Sequence, residues 1–179
     1  MKIILQSIYF MLPAYLANMM PVFLKKVPIL NYPLDHGRTW FGKRIFGAHK
    51  TYRGFLSGIF AGIIVALAQK FLYQFMPQFT LFPYDNFSYA TTAIVGLCFG
   101  GGILLGDLIK SFFKRRFGIS DGGRWLPFDQ LDFLGALLLV GIFFIPSLQY
   151  TIAIFIISPA LMIITDIFGY RLGMRDVWW

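Results

Sequence analysis

The sequence has few charged residues, and none of them is glutamate. Charged residues make up 13% of the 179-residue chain, against about 25% in typical soluble proteins. Glutamate is a common residue on solvated helix faces, so its absence indicates that the chain has little such surface. All eight acidic residues are aspartates, and we expect several of them to serve as caps or in chemistry. This composition excludes an ordinary soluble globule.

Cysteine and histidine are also scarce. The chain has one cysteine, Cys98, within an apolar run, which excludes an intrachain disulfide. The two histidines, His36 and His49, are too few and too far apart in sequence to predict a zinc site.

Hydrophobic residues, in contrast, make up 58% of the chain and gather into long runs. A helix needs roughly 20 apolar residues to cross a bilayer, and five stretches meet or approach that length. The sequence therefore predicts an all-α integral membrane protein with five transmembrane helices, forming a single domain over residues 1–179. The predicted spans are 3–24, 54–76, 89–109, 131–146 and 150–168.

Basic residues are concentrated on alternate connections between these spans. Fourteen of the 16 Lys and Arg residues lie in segments 25–53 and 110–130 and in a tail that contains Arg171 and Arg175. The connection 77–88 has none. The positive-inside rule then predicts an external N-terminus, a cytoplasmic C-terminus and two cytoplasmic loops, 25–53 and 110–130. We expect a multi-pass protein of the cytoplasmic membrane whose site faces the cytoplasm.

Acidic and basic residues meet where the third span ends and the fourth begins. If the third helix continues, Asp107, Ser111 and Lys114 lie on one face, and we expect Gly118 to stop the helix. Asp129 and Asp132 are three residues apart, so on a helix they share a face. Magnesium prefers carboxylate oxygens together with substrate phosphates. This pattern favours a Mg²⁺-dependent phosphate site.

Simpler interpretations exist for parts of this group. The run Lys114-Arg115-Arg116 also fits a determinant of topology at a helix end, and Asp129 also fits the N-cap of the fourth span. A carboxylate just inside a span, such as Asp132, is costly to insert and by default marks a functional site. Asp107 has a similar position.

The first predicted loop carries a second polar group. Gly47, Lys50, Thr51 and Arg53 precede the second span, an arrangement typical of a phosphate-binding run before a helix start. The spacing of a P-loop is missing.

Two further features lie at or near membrane depth. Asn18 is an amide inside the first span, for which helix packing and substrate contact remain alternatives. Trp178 and Trp179 are typical of interfacial anchors.

These motifs resemble a known family. The signature of CDP-diacylglycerol synthases is matched by Gly106-Asp107-x-x-x-Ser111-x-x-Lys114-Arg115, followed by Gly118, Pro127 and Asp129-x-x-Asp132. The short chain and five spans look still more like the archaeal CDP-archaeol synthases, as do Pro33-x-Asp35-x-Gly37 and Gly47-x-x-Lys50-Thr51-x-Arg53-Gly54. The Pro-Gly-His-Gly-Gly stretch of the bacterial signature is reduced to Pro127, so roles tied to its glycines and histidine are not carried over.

The resemblance implies a Mg²⁺-dependent cytidylyltransferase of membrane phospholipid biosynthesis. Such an enzyme transfers CMP from CTP to digeranylgeranylglyceryl phosphate, an isoprenoid ether-lipid phosphate, giving CDP-archaeol and pyrophosphate. Its partners are CTP, the lipid phosphate and membrane lipids, with no nucleic acid. Asp107, Asp129 and Asp132 would hold the metal and, with Lys114, form the catalytic group. Substrate binding would fall to Asp35, Gly37, Lys50, Thr51, Arg53, Ser111, Arg115 and Arg116.

Two other functions fit the residues less well. A CDP-alcohol phosphatidyltransferase requires a different spacing from that of Asp121-Gly122-Gly123-Arg124, and later acids four apart rather than three. A small transporter or channel subunit could use Asn18, Asp107 and Asp132 along a polar path, but such proteins usually show inverted repeats, which this sequence lacks.

Overall fold

The computed structural model describes residues 1–174 and 177. Arg175, in the basic tail, and the predicted anchors Trp178 and Trp179 lie outside the described residues. The helices within the described part are α1 (Lys2–Phe23), α2 (Tyr52–Tyr73), α3 (Tyr89–Arg116), α4 (Phe133–Val140) and α5 (Leu148–Arg171). A two-stranded antiparallel hairpin, β1 (Thr39–Trp40) and β2 (Lys43–Arg44), lies between α1 and α2. Short 3₁₀ turns cover Pro77–Phe79, Tyr84–Asn86 and Phe128–Gln130.

Four of these helices, α1, α2, α3 and α5, are long and apolar enough to cross a membrane. The chain is therefore a helical, multi-pass membrane protein. The remaining helix, α4, has eight residues, fewer than the roughly 20 needed to cross a bilayer alone. This corrects the prediction of a continuous helical span over 131–146. Helix α4 gives way to turns from Gly141, and Pro146 cannot supply the backbone N–H that a continuing helix needs.

Helix α3 is longer than its predicted span. It continues from Tyr89 to Arg116, and Gly118 after it has a φ of 77°. Glycine adopts this left-handed conformation readily and commonly ends helices. The expectation that the third helix runs on through Lys114 and stops at Gly118 is confirmed.

Glycines let three helices approach each other at backbone distance. A Cβ added to Gly62 of α2 would lie 2.6 Å from the carbonyl oxygen of Gly96 on α3. A Cβ on Gly102 would lie 2.5 Å from the oxygen of Gly135 on α4. Small residues at helix interfaces are the usual means of close packing in membranes, where the hydrophobic effect does not drive helices together. Helix α3 is thus held closely between α2 and α4.

The bundle has two distinct ends. At one end, called the far end, the 74–88 connection covers the helices, and the Lys70 ammonium donates to the carbonyl oxygens of Tyr84 and Phe87 at 2.9 and 2.5 Å. The rings of Phe87 and Phe143 also meet there, with centroids 6.4 Å apart. The other end, called the site end, carries segments 24–51 and 117–132. The apolar core between the two ends includes Phe10, Phe99, Ile103 and Phe133.

Candidate active site

The site end of α3 carries polar side chains on successive turns. Asp107, Lys110, Ser111 and Lys114 all lie within this helix, which follows from helical spacing once α3 continues past the predicted span. The Ser111 hydroxyl donates to the carbonyl oxygen of Asp107 at 2.7 Å. Its hydrogen is therefore used within the helix, while the two lysines and Asp107 face partners from other segments.

Lys110 lies between two carboxylates. Its ammonium is 2.7 Å from Oδ2 of Asp132 and 3.2 Å from Oδ1 of Asp107. It also donates to the backbone carbonyl of Asp129 at 3.0 Å. An ammonium has three donors, so Lys110 has one partner for each. One lysine thus links the end of α3 to the start of α4.

Lys50 brings the first loop to the same point. Its ammonium, just before α2, forms an ion pair with Oδ2 of Asp107. Asp107 is therefore bound on both oxygens, by Lys50 on one side and by Lys110 on the other. Residues 57 positions apart in the chain meet here, so the two loops converge on α3.

Lys114 and Asp129 form the next pair along α3. The Lys114 ammonium is 2.8 Å from Oδ1 of Asp129, whose Oδ2 accepts from the backbone N–H of Trp125 at 2.6 Å. Asp129 lies in the 3₁₀ turn Phe128–Gln130, and the N-cap position of α4 belongs to Asp132. The alternative that Asp129 caps the fourth helix is therefore wrong. The two acids also do not share a helix face, because Asp129 lies in a 3₁₀ turn that ends at Gln130 and α4 begins only at Phe133.

Asp132 is the most enclosed acid of the group. It is 3% exposed, and its Oδ1 is a buried oxygen without a hydrogen-bond partner. Its place is fixed by close packing, since a Cβ on Gly106 would lie 2.5 Å from the Asp132 carbonyl oxygen. Three lysines, Lys50, Lys110 and Lys114, and three aspartates, Asp107, Asp129 and Asp132, now form what we call the Lys–Asp cluster. Within this cluster, Oδ1 of Asp132 is the carboxylate oxygen that accepts no hydrogen bond from the described residues.

Asp35 organises the first loop from inside. Its Oδ1 accepts from Arg44 and from the N–H of Gly37, and its Oδ2 accepts from the N–H groups of Phe46 and Gly47. Burial alone would raise the pKa of Asp35, but the bond from Arg44 and the three backbone bonds outweigh it and lower this pKa to about 2. The backbone N–H of Gly47, which belongs to the predicted phosphate-binding run, is thus bound by the protein's own carboxylate.

Asp121 joins the two loops to each other. Its Oδ1 is 2.7 Å from Arg115, and its Oδ2 accepts from the N–H of Ala48 at 3.2 Å. Gly47 has a φ of 115°, and a Cβ there would lie 2.2 Å from Oδ1 of Asp121. Only glycine fits at this contact between the loops.

Several predicted substrate-binding residues have partners within the loops. Arg116 donates to the carbonyl oxygens of Trp40, Lys43 and Arg44 at 2.6 to 3.1 Å. Arg53 donates to the carbonyl oxygen of Val27. The hydroxyl of Thr51 accepts from the N–H of Gly54 at 3.2 Å and caps α2. These contacts hold the β-hairpin and α2 in place beside the Lys–Asp cluster.

Two cavities flank the cluster on opposite sides of α3. The smaller, about 50 Å³, is lined by the first loop together with residues of α1, α2 and α3, including His49, Lys50, Thr51 and Asp107. The larger, about 250 Å³, is mostly apolar and opens between α3 and α4, with Lys110 and Asp132 at its polar edge. Its other walls include Phe113, Trp125, Phe128 and Leu138. Asp107 thus lies in the wall of the smaller cavity, and its ion-pair partner Lys110 lies in the wall of the larger one.

The predicted metal ligands are only partly brought together. Within residues 1–174 and 177, no three His, Cys, Asp or Glu side chains form a group that could hold a metal ion. Asp107 and Asp132 share one cation, the Lys110 ammonium, whereas Asp129 is held by Lys114 and Trp125. The site therefore offers a metal ion the carboxylates of Asp107 and Asp132, with one unbonded oxygen on Asp132, rather than a complete set of protein ligands.

Comparison with known proteins adds to this geometry. A family model described as CarS-like, CDP-archaeol synthase, matches residues 1–179. The chain belongs to this family. The family resemblance predicted from the two loop motifs is confirmed, and neither the transporter nor the phosphatidyltransferase alternative is favoured.

Relatives of similar length carry the family name. The chain is 38% identical to the CDP-archaeol synthase of Methanospirillum hungatei, with 94% of this chain and 100% of the relative covered. It is 35% identical to that of Archaeoglobus fulgidus, covering 100% and 99%. A solved structure described as an intramembrane enzyme for archaeal membrane lipids biosynthesis has a TM-score of 0.65 at 30% identity, covering 92% of this chain and 94% of that one.

Lys110 is more central to the site in the structure than its position in the sequence indicates. In the sequence Lys110 only flanks the predicted polar face, whereas in the structure it contacts Asp107, Asp132 and the Asp129 backbone. Its position three residues after Asp107 was the available signal, because i and i+3 side chains meet on a helix.

Proposed function

We propose that this chain is the cytidylyltransferase that makes CDP-archaeol, by transferring CMP from CTP to digeranylgeranylglyceryl phosphate and releasing pyrophosphate. One observation carries the proposal: in a membrane protein of this family, the Lys–Asp cluster lies between a small cavity lined by Lys50 and Asp107 and a larger, mostly apolar cavity lined by Lys110 and Asp132. A water-soluble nucleotide and a lipid phosphate can reach the same residues from opposite sides of α3. The names of the relatives support the product.

The proposed topology has five crossings, with the N-terminus outside and the site end in the cytoplasm. Asp132 is at the site end, whereas Phe143 packs against Phe87 at the far end. In this proposal the segment from Asp132 to Phe143, which contains the short helix α4, crosses the membrane between α3 and α5. It brings the number of crossings to five. The basic segments at the site end support the cytoplasmic orientation, and CTP is available on that side. Residues 1–179 act as a single membrane-embedded domain in this proposal.

The reaction needs no protein nucleophile. An oxygen of the lipid phosphate attacks the α-phosphorus of CTP, and a new P–O bond forms. The bond from the α-phosphorus to the oxygen that bridges it to the β-phosphorus breaks, and pyrophosphate leaves with that electron pair. The protein positions the two anionic substrates, CTP and the lipid phosphate, and stabilises their negative charge. Lys50 and Lys114 are the proposed phosphate donors of the cluster, since their ammonium groups are held at its two ends.

Magnesium fits the carboxylates of the cluster. It usually binds through one or two carboxylates together with substrate phosphates rather than in an all-protein cage. Asp107 and Asp132 would hold it, with the open Oδ1 of Asp132 as one donor. Asp129, also predicted as a ligand, would act through its bond to Lys114. When bound, the ion supplies positive charge that offsets the charge of the phosphates.

The remaining predicted binding residues have a supporting task in this proposal. Asp35 and Gly37 shape the first loop, and Arg116 and Arg53 hold its backbone. Thr51 caps α2 and Ser111 bonds within α3. Arg115, which binds Asp121 beside Ala48, lies close enough to the loop junction to turn toward a bound phosphate.

The direct test is transfer of label from CTP to lipid. Purified protein in detergent is incubated with CTP labelled at the α-phosphate, Mg²⁺, and either digeranylgeranylglyceryl phosphate or phosphatidic acid. We expect label in the organic phase with the ether-lipid acceptor, and its loss when EDTA removes the metal. Label recovered only with phosphatidic acid would contradict the proposed acceptor. No labelled lipid from either acceptor would contradict the cytidylyltransferase itself.

A further inference from the structure

One lysine of the cluster occupies the position at which a metal ion would join the two carboxylates. The Lys110 ammonium is within 3.2 Å of Asp107 and 2.7 Å of Asp132. Its side chain is 14% exposed, and Asp132 is almost fully buried. Both oxygens of Asp107 are held by lysines, and Lys110 is the one that also binds Asp132. A divalent cation that joins the two carboxylates therefore displaces the Lys110 ammonium from Asp107.

We propose that Lys110 acts as a built-in counter-ion, which occupies the cation position between Asp107 and Asp132 in the free enzyme and transfers to a substrate phosphate when nucleotide arrives. The inference rests on the proposed function, because it assigns Lys110 a role toward the metal and the nucleotide of that same site. Its consequence is that the free enzyme excludes divalent cations until nucleotide phosphates are present.

Charge balance in the Lys–Asp cluster opposes the binding of a divalent cation by itself. Three lysines face three aspartates, so their formal charges cancel. A divalent cation arriving alone would displace Lys110 and leave its ammonium without an anion in a largely buried place, which is strongly unfavourable. A cation arriving with nucleotide brings phosphates, which can receive the displaced ammonium. Metal and nucleotide binding are therefore coupled through Lys110.

The two oxygens of the Asp132 carboxylate have different surroundings. Lys110 takes Oδ2 of this carboxylate, while Oδ1 is buried without a partner. A buried acceptor left unpaired costs free energy, so the free state holds an unsatisfied oxygen. A divalent cation bound between Asp107 and Asp132 would give that oxygen a partner.

Lys114 provides the matched control. It is one turn further along α3 and also pairs with an aspartate at 2.8 Å. Its partner Asp129 is bound as well by the Trp125 N–H, and Lys114 does not lie between two carboxylates. Removing Lys114 lowers the positive charge of the cluster by the same amount without opening the position between Asp107 and Asp132.

The test measures divalent cation binding without nucleotide. Mn²⁺ is titrated into the full-length detergent-purified protein, and bound ion is read from the loss of the EPR signal of free Mn²⁺. We expect weak binding to the wild type, binding at least about tenfold tighter to Lys110→Met, and little change in Lys114→Met. Equal tightening in both variants would show a general charge effect and overturn the proposal, as would unchanged binding in Lys110→Met.

Two further measurements keep the test decisive. If Lys110→Met is not monodisperse on gel filtration, Mn²⁺ binding is measured with Lys110→Gln instead. That variant keeps a neutral donor between the carboxylates, and the same outcomes apply to it. Saturable micromolar Mn²⁺ binding to the wild type without nucleotide would overturn the proposal whatever the variants do. The transfer assay on the wild type is independent of these readings. Labelled lipid with unchanged Mn²⁺ binding in Lys110→Met would refute the role of Lys110 and leave the proposed function standing.

Discussion

The carbonyl oxygen of Asp132 lies directly against the Cα of Gly106, so that a methyl group on Gly106 would come within 2.5 Å of it. This backbone contact is the reason that Asp132 reaches the Lys–Asp cluster. Gly106 precedes Asp107 in α3, and the packing of α4 against it puts the two carboxylates on either side of Lys110. The site therefore depends on one small residue that takes no part in the chemistry.

Substituting Gly106 is expected to separate α4 from α3. Gly106→Ala puts a methyl group into backbone that cannot move cheaply, and overpacking of this kind costs about 1–3 kcal/mol. We expect a melting temperature lowered by several degrees in detergent and reduced CMP transfer.

Gly101→Ala is the control for this change. Gly101 is in the same helix and buried, but a Cβ there meets nothing within 4 Å. Alanine favours a helix over glycine by up to about 1 kcal/mol, so stability should be unchanged or slightly raised. Equal losses in both variants would mean that helix propensity, not the contact with Asp132, determines the effect.

Asp132→Asn is expected to abolish transfer while leaving the protein folded. The substitution keeps the shape of the side chain but removes the charge that Lys110 and the proposed metal share, and we expect activity to fall by about 100-fold or more. The matched change Asp85→Asn affects an exposed carboxylate at the far end, where it accepts from Tyr73 at 2.6 Å, and should leave activity near that of the wild type. Near-normal transfer by Asp132→Asn would refute its proposed role.

Lys50→Met is expected to weaken the use of CTP. The change removes the ion pair that ties the first loop to Asp107 and one proposed phosphate donor, so kcat/KM for CTP should fall by about tenfold or more. Lys26→Met, at an exposed position of the same segment, tests for loss of general positive charge. A similar fall in both variants would assign the effect to charge alone.

The stability contributed by Asp35 should depend on pH in a defined window. Its pKa is lowered to about 2 in the folded protein, against about 3.9 in an unfolded chain. A lowered carboxyl pKa stabilises the fold above the unfolded value, and this contribution is lost as the pH falls from about 4 toward 2. At neutral pH, Asp35→Asn should lower the free energy of unfolding by about 1–3 kcal/mol. The difference in melting temperature between wild type and variant should then narrow below pH of about 4. A constant difference would exclude the charge of Asp35 as its cause.

Cysteine labelling tests the proposed five crossings. In a Cys98→Ala background, Ser147→Cys and Asn86→Cys should react with a membrane-impermeant maleimide on intact cells. Lys26→Cys should react only after the membrane is opened, because it lies at the site end. Labelling of Ser147→Cys only in opened membranes would mean that the segment from Asp132 to Phe143 does not cross, and that the chain has four crossings.

The helices and the family could be predicted from the sequence because both depend on local patterns. Runs of apolar residues predict spanning helices, and α1, α2, α3 and α5 begin and end within a few residues of four predicted spans, apart from the extension of α3. The helix predicted over the fourth span is longer than α4, because an apolar run does not reveal where a helix stops. Gly141 and Pro146 were in the sequence, but their effect on α4 is decided by packing against α3.

The roles of the basic residues were harder to predict from the sequence. Arg115 and Arg116 look alike in sequence beside Lys114, yet the first binds Asp121 and the second binds three backbone carbonyls. Asp35 is predicted from the sequence to bind substrate, and the structure adds that its carboxylate accepts hydrogen bonds from backbone N–H groups of its own loop. Side-chain partners from distant segments decide these differences, and residue type does not encode them.

The sequence by itself determined that this protein is a helical membrane protein, which ends of its helices are basic, and which family it belongs to. These properties follow from hydrophobicity and motif spacing along the chain. Only the tertiary structure decided that Lys50 meets Asp107 and that Lys110 stands between Asp107 and Asp132. Those contacts exist because glycines on α3 let α2 and α4 approach at backbone distance, and contacts made by such packing cannot be found by counting along the sequence.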